Sequence, residues 1–563
     1  MMSSISLGRR RVSHWHLGVM ALIGVVAVAI IGWSTRPASA PASGCTGSDT
    51  RAAICALLAD DVPKKLPLSY DGVADLQRFY TDRADQPAWS GTALARAQAA
   101  EALAVLAGAA DDGLNASDYH EEELWGAARA PQDSATFDIL LTDAVLRYAH
   151  DIRLGRVLAD ERDRDVSLPA QSVDLVADLA VALHAGHVGQ FMRDQAPQHA
   201  EYQRLKTALA RYRALASAGG WQPLPAAAKH WQSQPLYEQE LVDRLSVEDT
   251  AFAAEAAAMD DAAIAAAIGR FQLRNGLHAD GALGQDTLAA LNIQPDARAD
   301  QIAANMERWR WMPRTLESRY IMVNVPGTEL RVVRDGVTVL TSRVIAGRPA
   351  DPTPIIRAEA RGIVVNPPWN VPAKIATREI LPKLRRDSHY LEKEGMVLKN
   401  GPADDPYGLS IDWKHVSRLP YAVEQLPGPK AALGAVKIDM PNPFSVYLHD
   451  TPGKAAFALD RRNLSHGCVR VQQIVPLASF VLTGDADTAQ ESVQSALADG
   501  ATKQIPAPMT TAVYFAYWTA FVDEDGTVEF RPDIYGRDRR LLAVLKGTQA
   551  TRVTFAYGGC RAA

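Results

Sequence analysis

The sequence predicts a multidomain α+β chain. In order it reads as an N-terminal membrane anchor, an α-helical scaffold, a small helical module and a β-rich domain broken by a capping insert. Three observations carry this reading. The chain has 563 residues, and at roughly 100–200 residues per domain that length implies about three or four domains. Apolar residues fall at helical spacing up to about residue 257 and turn to strand patterns from Tyr320. One long apolar run, Leu17 to Trp33, stands near the N-terminus.

Composition narrows the class. Hydrophobic residues make up 47% and charged residues 22%, which suits a globular chain and not wholesale disorder. The formal net charge of −6 disfavours a nucleic-acid-binding surface over the whole chain. A single apolar run excludes a polytopic membrane protein. Four cysteines in this length cannot build a disulfide scaffold. There is no CxxC and no Cys/His cluster, so a structural zinc site is not expected.

The first segment, 1–36, is read as a signal-anchor. Arg9-Arg10-Arg11 precede the run from Leu17 to Trp33, which at helical rise is about 25 Å long. Basic residues before it and few after it place the N-terminus inside and the bulk of the chain outside the membrane. A cleaved signal peptide ending at Ala38-Ser39-Ala40 is the other reading, but the run exceeds the usual signal core. Both readings export the chain. Residues 37–49 form a Pro/Ala/Ser-rich stalk. Under oxidising conditions Cys45 and Cys55 are close enough in sequence to pair, whereas Cys560 reads as an idle thiol.

Residues 50–257 read as the helical scaffold. Leu140, Ala144, Tyr148 and Ile152 recur at i, i+4 on one helix face, and Gly155 supplies the stop. Residues 258–293 read as two short helices joined by a Gly-marked turn. At this size the module cannot hold a substantial core alone and must pack on a neighbour. Residues 294–317 are a linker returning to the scaffold. The β-rich domain spans 318–545. It opens with Ile321–Val325, a Pro326-Gly327 turn, Glu329–Val333 and Asp335-Gly336, a hairpin pattern. Further strands are expected at Val337–Ile345, Gly362–Val365, Ala435–Ile438, Ser445–Leu448, Ala512–Val522 and Thr527–Phe530. An irregular stretch at about 373–433 interrupts them as an inserted lid would. Residues 546–563 are a tail.

The chemistry concentrates in Tyr447-Leu448-His449-Asp450-Thr451 and Leu464-Ser465-His466-Gly467-Cys468-Val469-Arg470. A strand end delivers His449, and a small-residue loop delivers Cys468. A cysteine becomes a nucleophile when an imidazole takes its proton or stabilises its thiolate. His449 is the general base and acid, its other ring nitrogen held by a carbonyl or by Asp450; His466 is a second candidate base. Gly467 allows close backbone approach and contributes to an oxyanion hole. His449 precedes Cys468 in the chain, the reverse of the order in papain-like peptidases.

His449 with Ser465-His466-Gly467-Cys468 resembles the H…[ST]-H-G-C signature of the YkuD-type L,D-transpeptidases. The resemblance extends further, to the YcbB-like subgroup. Phe271-Gln272, Gly276-Leu277, Asp280-Gly281, Gly284, Thr287 and Ala290-Leu291 resemble the small peptidoglycan-binding domain. Phe79-Tyr80 with Gln86-Pro87-Ala88-Trp89 resembles the start of the scaffold domain. Asn305 to Pro313 resembles the junction before the catalytic domain, and Tyr517–Ala520 with Asp533-Ile534-Tyr535 its end. One departure is Arg470, where many members carry Asn.

The resemblance implies a β-sandwich-like catalytic domain with 373–433 as a substrate cap. It implies that Cys468 forms a thioester with the diaminopimelate residue of a peptidoglycan tetrapeptide stem, releasing D-Ala. A diaminopimelate amine of another stem then resolves the thioester as a 3→3 cross-link; no metal or organic cofactor is implied, and the compartment implied is the periplasm, with the chain anchored on the periplasmic face of the inner membrane or free if the signal is cleaved. Substrate contacts are expected from Ser465, His466, Arg470, Arg462, Tyr447 and Trp369, the two arginines through a substrate carboxylate. The partners implied are donor and acceptor stem peptides, the inner membrane through the anchor, and a D,D-carboxypeptidase or another wall-synthesis protein; nucleic acid is not among them. Two alternatives stand beside this: an L,D-carboxypeptidase on the same fold, and a non-catalytic wall-binding scaffold.

Overall fold

The structure is a computed structural model that describes residues 45, 49–59, 72–127, 134–157, 162–254 and 260–546. The Leu17–Trp33 anchor, the Ala38–Ala40 cleavage site, Cys560 and nearly all of the 546–563 tail lie outside the described residues. Among the described residues no helix is long and apolar enough to cross a membrane. Cys45 and Cys55 form a disulfide, their Cα atoms 5.6 Å apart.

The N-terminal region is helical. Helix Ser134–Leu154 runs through its centre and buries Leu140, Ala144, Tyr148 and Ile152. Gly155 follows with φ +92°, and a Cβ there would meet Glu307 Oε1 at 2.6 Å, so only glycine fits. Asp138 is fully buried and accepts from the amides of Ala88 and Trp89 (2.7 and 3.0 Å) and from Tyr80 Oη (2.8 Å). Phe79-Tyr80 and Ala88-Trp89 are thereby pinned to the central helix, since a buried carboxylate must be satisfied by donors.

The small helical module does not stand alone. One apolar cluster joins Ile264, Ile268, Phe271 and Leu291 to Leu224, Trp231, Leu241, Leu245 and Phe252. That core crosses the 257/258 boundary expected from sequence, because some 36 residues bury too little surface by themselves. Inside the module Gln272 Nε2 donates to Asp280 Oδ1, Ala282 O and Thr287 Oγ1 (2.8, 2.9 and 3.0 Å). This explains why these polar residues recur at fixed spacing.

Residues 295–310 are not a linker. They form a buried helix, Pro295–Arg310, wedged between scaffold and β-domain. Trp309 stacks on Trp518 with ring centroids 4.5 Å apart. Glu307, fully buried, pairs with Arg310 Nη1 (2.8 Å) and accepts from Val157 N and Trp311 Nε1 (3.0 Å each).

The strands, in chain order, are β1 Val166–Ser167, β2 Arg319–Asn324, β3 Glu329–Arg334, β4 Val337–Gly347, β5 Ile355–Val365, β6 Trp369–Asn370, β7 Met396–Lys399, β8 Ala422–Gln425, β9 Val436–Asp439, β10 Leu448–His449, β11 Asn463–Ser465, β12 Val469–Val471, β13 Lys503–Ala516, β14 Ala520–Val522 and β15 Val528–Phe530. The main sheet runs β1-β5-β13-β2-β3-β4-β12-β10-β9, with β9 also paired to β5. The sheet therefore closes on itself. The expected sandwich is a closed sheet, because long β5 serves two neighbours: Gly362–Val365 pair with β13 on one side and β9 on the other. Its core holds Ile321, Val332, Ile363, Ile438, Leu448, Val469 and helix Ile474–Thr483.

The expected hairpin forms between β2 and β3, with Val323 opposite Leu330. The next turn uses positive φ at both Asp335 and Gly336, as a tight hairpin requires. Residues 373–433 lie within a lobe with its own three-stranded sheet, β6-β8-β7, and its own core around Leu381, Leu391, Trp413 and Val423.

Candidate active site

The site lies at the ends of three neighbouring strands. β10 pairs in parallel with β12, His449 opposite Arg470, and antiparallel with β9, His449 opposite Lys437. Cross-strand partners share a sheet face, as do residues two apart on one strand. Lys437, His449 and Arg470 therefore form one row across the sheet. Tyr447 and Cys468, each two residues earlier, lie on the same face in the next row.

Cys468 is half-buried and is the one free cysteine among the described residues. Its Sγ lies 3.8 Å from the carbonyl of Ser445. Burial pushes the thiol pKa up. The Tyr447 N–H and the charges of Lys437 and Arg470 pull against that.

His449 is buried, and its Nδ1 bonds the backbone carbonyl of Asp450 at 2.5 Å. It is the carbonyl of Asp450, not its carboxylate, that holds the ring. The carboxylate accepts from Ala435 N (2.9 Å) and pairs with Lys454. Burial and the Arg470 charge lower the His449 pKa to about 4, so the imidazole is neutral at pH 7. Sγ and the imidazole do not hydrogen-bond to each other in this structure, and the resting cysteine is not half of a thiolate–imidazolium pair.

The loop before Cys468 is braced from within. Ser465, buried, donates from Oγ to Cys468 O (2.5 Å) and accepts from Gly467 N (3.2 Å). Gly467 has φ +113°, and its carbonyl accepts from Thr353 Oγ1 at 2.8 Å. Thr353 Oγ1 also accepts from Gly347 N (2.8 Å), and Tyr535 Oη donates to Gly347 O (2.6 Å). Three of the expected site residues have protein partners in this structure. The Gly467 N–H, expected in the oxyanion hole, is already engaged by Ser465. Ser465, expected at the substrate, shapes the loop with its hydroxyl. His466 turns outward, its Nε2 2.5 Å from Glu379 Oε1 in the cap.

The remaining predicted residues separate. Arg462 donates to the carbonyls of Val344, Leu459 and Thr328 (3.2, 2.7 and 3.3 Å). Each of its three guanidinium nitrogens donates to a backbone carbonyl, which gives Arg462 a bracing role in this structure. Trp369 pairs through β6 with β8 and packs against the cap core. Tyr447, half-buried, stays beside Cys468. Arg470 makes no ion pair and no side-chain hydrogen bond among the described residues, and its Nε is buried without a partner.

Lys437, Thr353 and Glu379 went unread in the sequence. Lys437 alternates with buried Val436 and Ile438, which puts it on the face away from the core. What the alternation does not give is which strand lies beside it. No group of three or more His, Cys, Asp or Glu among the described residues could hold a metal.

Comparison with known proteins gives three family matches. Residues 318–493 match the YkuD "L,D-transpeptidase catalytic domain". Residues 252–291 match the "Putative peptidoglycan binding domain", and residues 74–209 match the "Scaffold domain". A curated relative from Haemophilus influenzae, described as "Putative L,D-transpeptidase", is 38% identical over 244 residues. The match covers 43% of this chain and 48% of the relative, so the chain spans about half the length of the curated relative it matches. A solved structure, the Ldtfm-avibactam carbamoyl enzyme, is 12% identical over 40% of this chain and 64% of its own, with a TM-score of 0.18; that likeness carries no argument.

Proposed function

We propose that this chain, which carries a YkuD L,D-transpeptidase catalytic domain at residues 318–493, is a cysteine-dependent peptidoglycan L,D-transpeptidase that forms 3→3 cross-links. The observation that supports this best is the placement of Cys468. It is a free thiol on the sheet face it shares with His449, beside two cations and next to a loop tied to the cap.

In this reading Cys468 Sγ attacks the carbonyl of the third stem residue, diaminopimelate. The thiol proton passes to neutral His449 and from it to the departing amine of D-Ala, so the C–N bond breaks as the thioester C–S bond forms. A resting gap between base and nucleophile is compatible with this, because catalytic hydrogen bonds often tighten only when substrate is bound. The side-chain amine of a second stem's diaminopimelate then attacks the thioester, loses its proton to His449, and frees the thiol. The amide formed is the 3→3 link.

The 252–291 match supports contact with the wall. The Cys45–Cys55 disulfide supports an oxidising compartment, in keeping with a periplasmic chain held by Leu17–Trp33 at the inner membrane.

The test is product analysis. Incubation with disaccharide tetrapeptides should give a dimer that tandem mass spectrometry assigns as 3→3, and Cys468→Ala should give none. Tripeptide without dimer would make the chain an L,D-carboxypeptidase. No Cys468-dependent product would favour a wall-binding scaffold.

A further inference from the structure

Two cations stand beside the nucleophile, and among the described residues neither makes an ion pair. Lys437 and Arg470 flank His449 in one cross-strand row, and theirs are the two positive charges that act on the Cys468 sulfur. Lys437 Nζ sits 4.0 Å from the centroid of the Tyr447 ring. Among the described residues it has no carboxylate in ion-pair contact. The one carboxylate whose charge reaches it, Asp439, accepts a hydrogen bond from Gln504 Nε2 at 3.0 Å. Arg470 is half-buried, and its Nε lacks any partner.

This arrangement is costly on its own. A cation drawn out of water needs a counter-charge or a hydrogen-bond acceptor. Other arginines of this chain meet that requirement: Arg308 pairs with Asp538 (2.6 Å), Arg310 with Glu307 (2.8 Å) and Arg537 with Asp165 (2.5 Å). Lys437 and Arg470 do not, and the face they share carries the thiol. Two uncompensated cations at this spot form a receptor for an anion carried by whatever reacts at Cys468.

We propose that Lys437, acting with Arg470, binds the terminal carboxylate of the donor stem, the one on the D-amino acid that leaves. The inference rests on the transpeptidase reading. That carboxylate lies one Cα beyond the scissile nitrogen, so it must sit close to the attacked carbonyl. A site with cations so near the sulfur selects a stem that ends one residue past the scissile bond. A longer stem would place a neutral amide against both cations, leaving them unpaired. Lys437 is thus a specificity-determining residue: it reads chain length through charge. Tyr447 serves it by holding the ammonium over its ring face, a contact that costs no neutralising carboxylate.

Two measurements separate this inference from the reading beneath it. The first needs no peptidoglycan. Alkylation of Cys468 is followed by intact-protein mass spectrometry with iodoacetate, an anion, and with neutral iodoacetamide. The rate ratio in the native protein should exceed that of free cysteine about tenfold, the scale of one uncompensated charge contact. Lys437→Met should pull the ratio most of the way back, and Lys437→Arg should keep it. A ratio equal to that of free cysteine, or one that Lys437→Met leaves unchanged, overturns the anion site.

The second compares a tetrapeptide donor ending in a free carboxylate with the same stem ending in a carboxamide. The native protein should favour the acid at least about tenfold in kcat/KM. Lys437→Met should lose that preference, lowering kcat/KM on the acid by about tenfold more than on the carboxamide. Equal losses on both donors would assign Lys437 to the thiolate or to the fold and overturn the proposal. An elevated iodoacetate ratio with no turnover of either stem would keep an anion site, sink the transpeptidase reading and remove the D-amino acid as its ligand.

Discussion

His466 Nε2 lies 2.5 Å from Glu379 Oε1, which ties the residue two before the nucleophile to the cap. Glu379 also receives Arg348 Nη2 at 3.4 Å, and Arg348 and Lys374 both reach Asp351 (2.8 and 2.5 Å). The cap is therefore fastened at the catalytic loop by charge, in addition to its own apolar core.

Breaking that fastening should loosen the cap without unfolding the domain. Glu379→Ala is expected to raise hydrogen exchange across 376–384 and at 465–468, and to raise KM more than it lowers kcat. These groups are partly exposed, so the effect on global stability should stay under about 1 kcal/mol. Exchange unchanged in both segments would show that the bridge does not hold the cap.

The acid limb of activity should fall at low pH. His449 is the base only when neutral, and burial with Arg470 nearby lowers its pKa to about 4. Activity in kcat/KM should therefore persist down to about pH 4 and not fade near 6.5, the ordinary histidine value. Stability follows the same sign. Between about pH 6.5 and 4 the unfolded chain takes up a proton at this residue that the folded chain refuses, so its contribution to stability declines as pH falls. A limb near 6.5 would show that His449 is solvated or is not the base.

Ser465→Ala should damage the loop more than the fold. The hydroxyl satisfies both Cys468 O and Gly467 N, and its loss leaves a buried carbonyl and amide short of one partner each. A cost of about 1–3 kcal/mol is expected, with kcat falling at least about tenfold because Sγ loses its fixed position. Equilibrium unfolding and steady-state kinetics on the same variant separate the two effects.

Glu307→Ala should be severe although it lies outside the catalytic domain. The carboxylate is fully buried and holds Arg310, Val157 N and Trp311 Nε1. Removing it leaves a buried guanidinium without its counter-charge, at about 3–5 kcal/mol. Denaturant unfolding checks this, and a loss under 1 kcal/mol would mean that water or another acceptor replaces the carboxylate.

Much of the layout is legible in residue order alone. The i, i+4 face of 140–152, the Pro326-Gly327 and Asp335-Gly336 turns and the His449…Cys468 pairing of residue types are all local, and local pattern is what periodicity reports. The features that escape it depend on distant pairing. β1, two residues long, adds to β5 through Val166 opposite Ile355; so short an element leaves no periodic trace. β13 reaches back to Lys503, but Pro506 and Pro508 mask it, and a register shift between Pro506 and Thr511 accommodates them. The 294–317 segment looks like a polar linker because Glu307, Arg308 and Arg310 are charged. They are buried because each finds a partner from another region.

The site divides along the same line. The types of Cys468 and His449 point to their chemistry, and the sequence motif brings Gly467 and Ser465 with them. Motif membership does not say where a side chain points. Arg462 and His466 belong to the motif's neighbourhood yet turn to backbone carbonyls and to the cap. Lys437, some 30 residues ahead of the motif, reaches the thiol through strand pairing, which sequence order does not reveal.

The central claim is that Cys468 carries the acyl group. The most direct measurement is intact-protein mass spectrometry after brief incubation with a tetrapeptide donor and no acceptor, followed by peptide mapping. The account predicts a mass increase equal to the stem without its terminal D-Ala, located on Cys468 and absent from Cys468→Ala. Released D-Ala with no Cys468 adduct on any timescale, or the same turnover from Cys468→Ala, would contradict it.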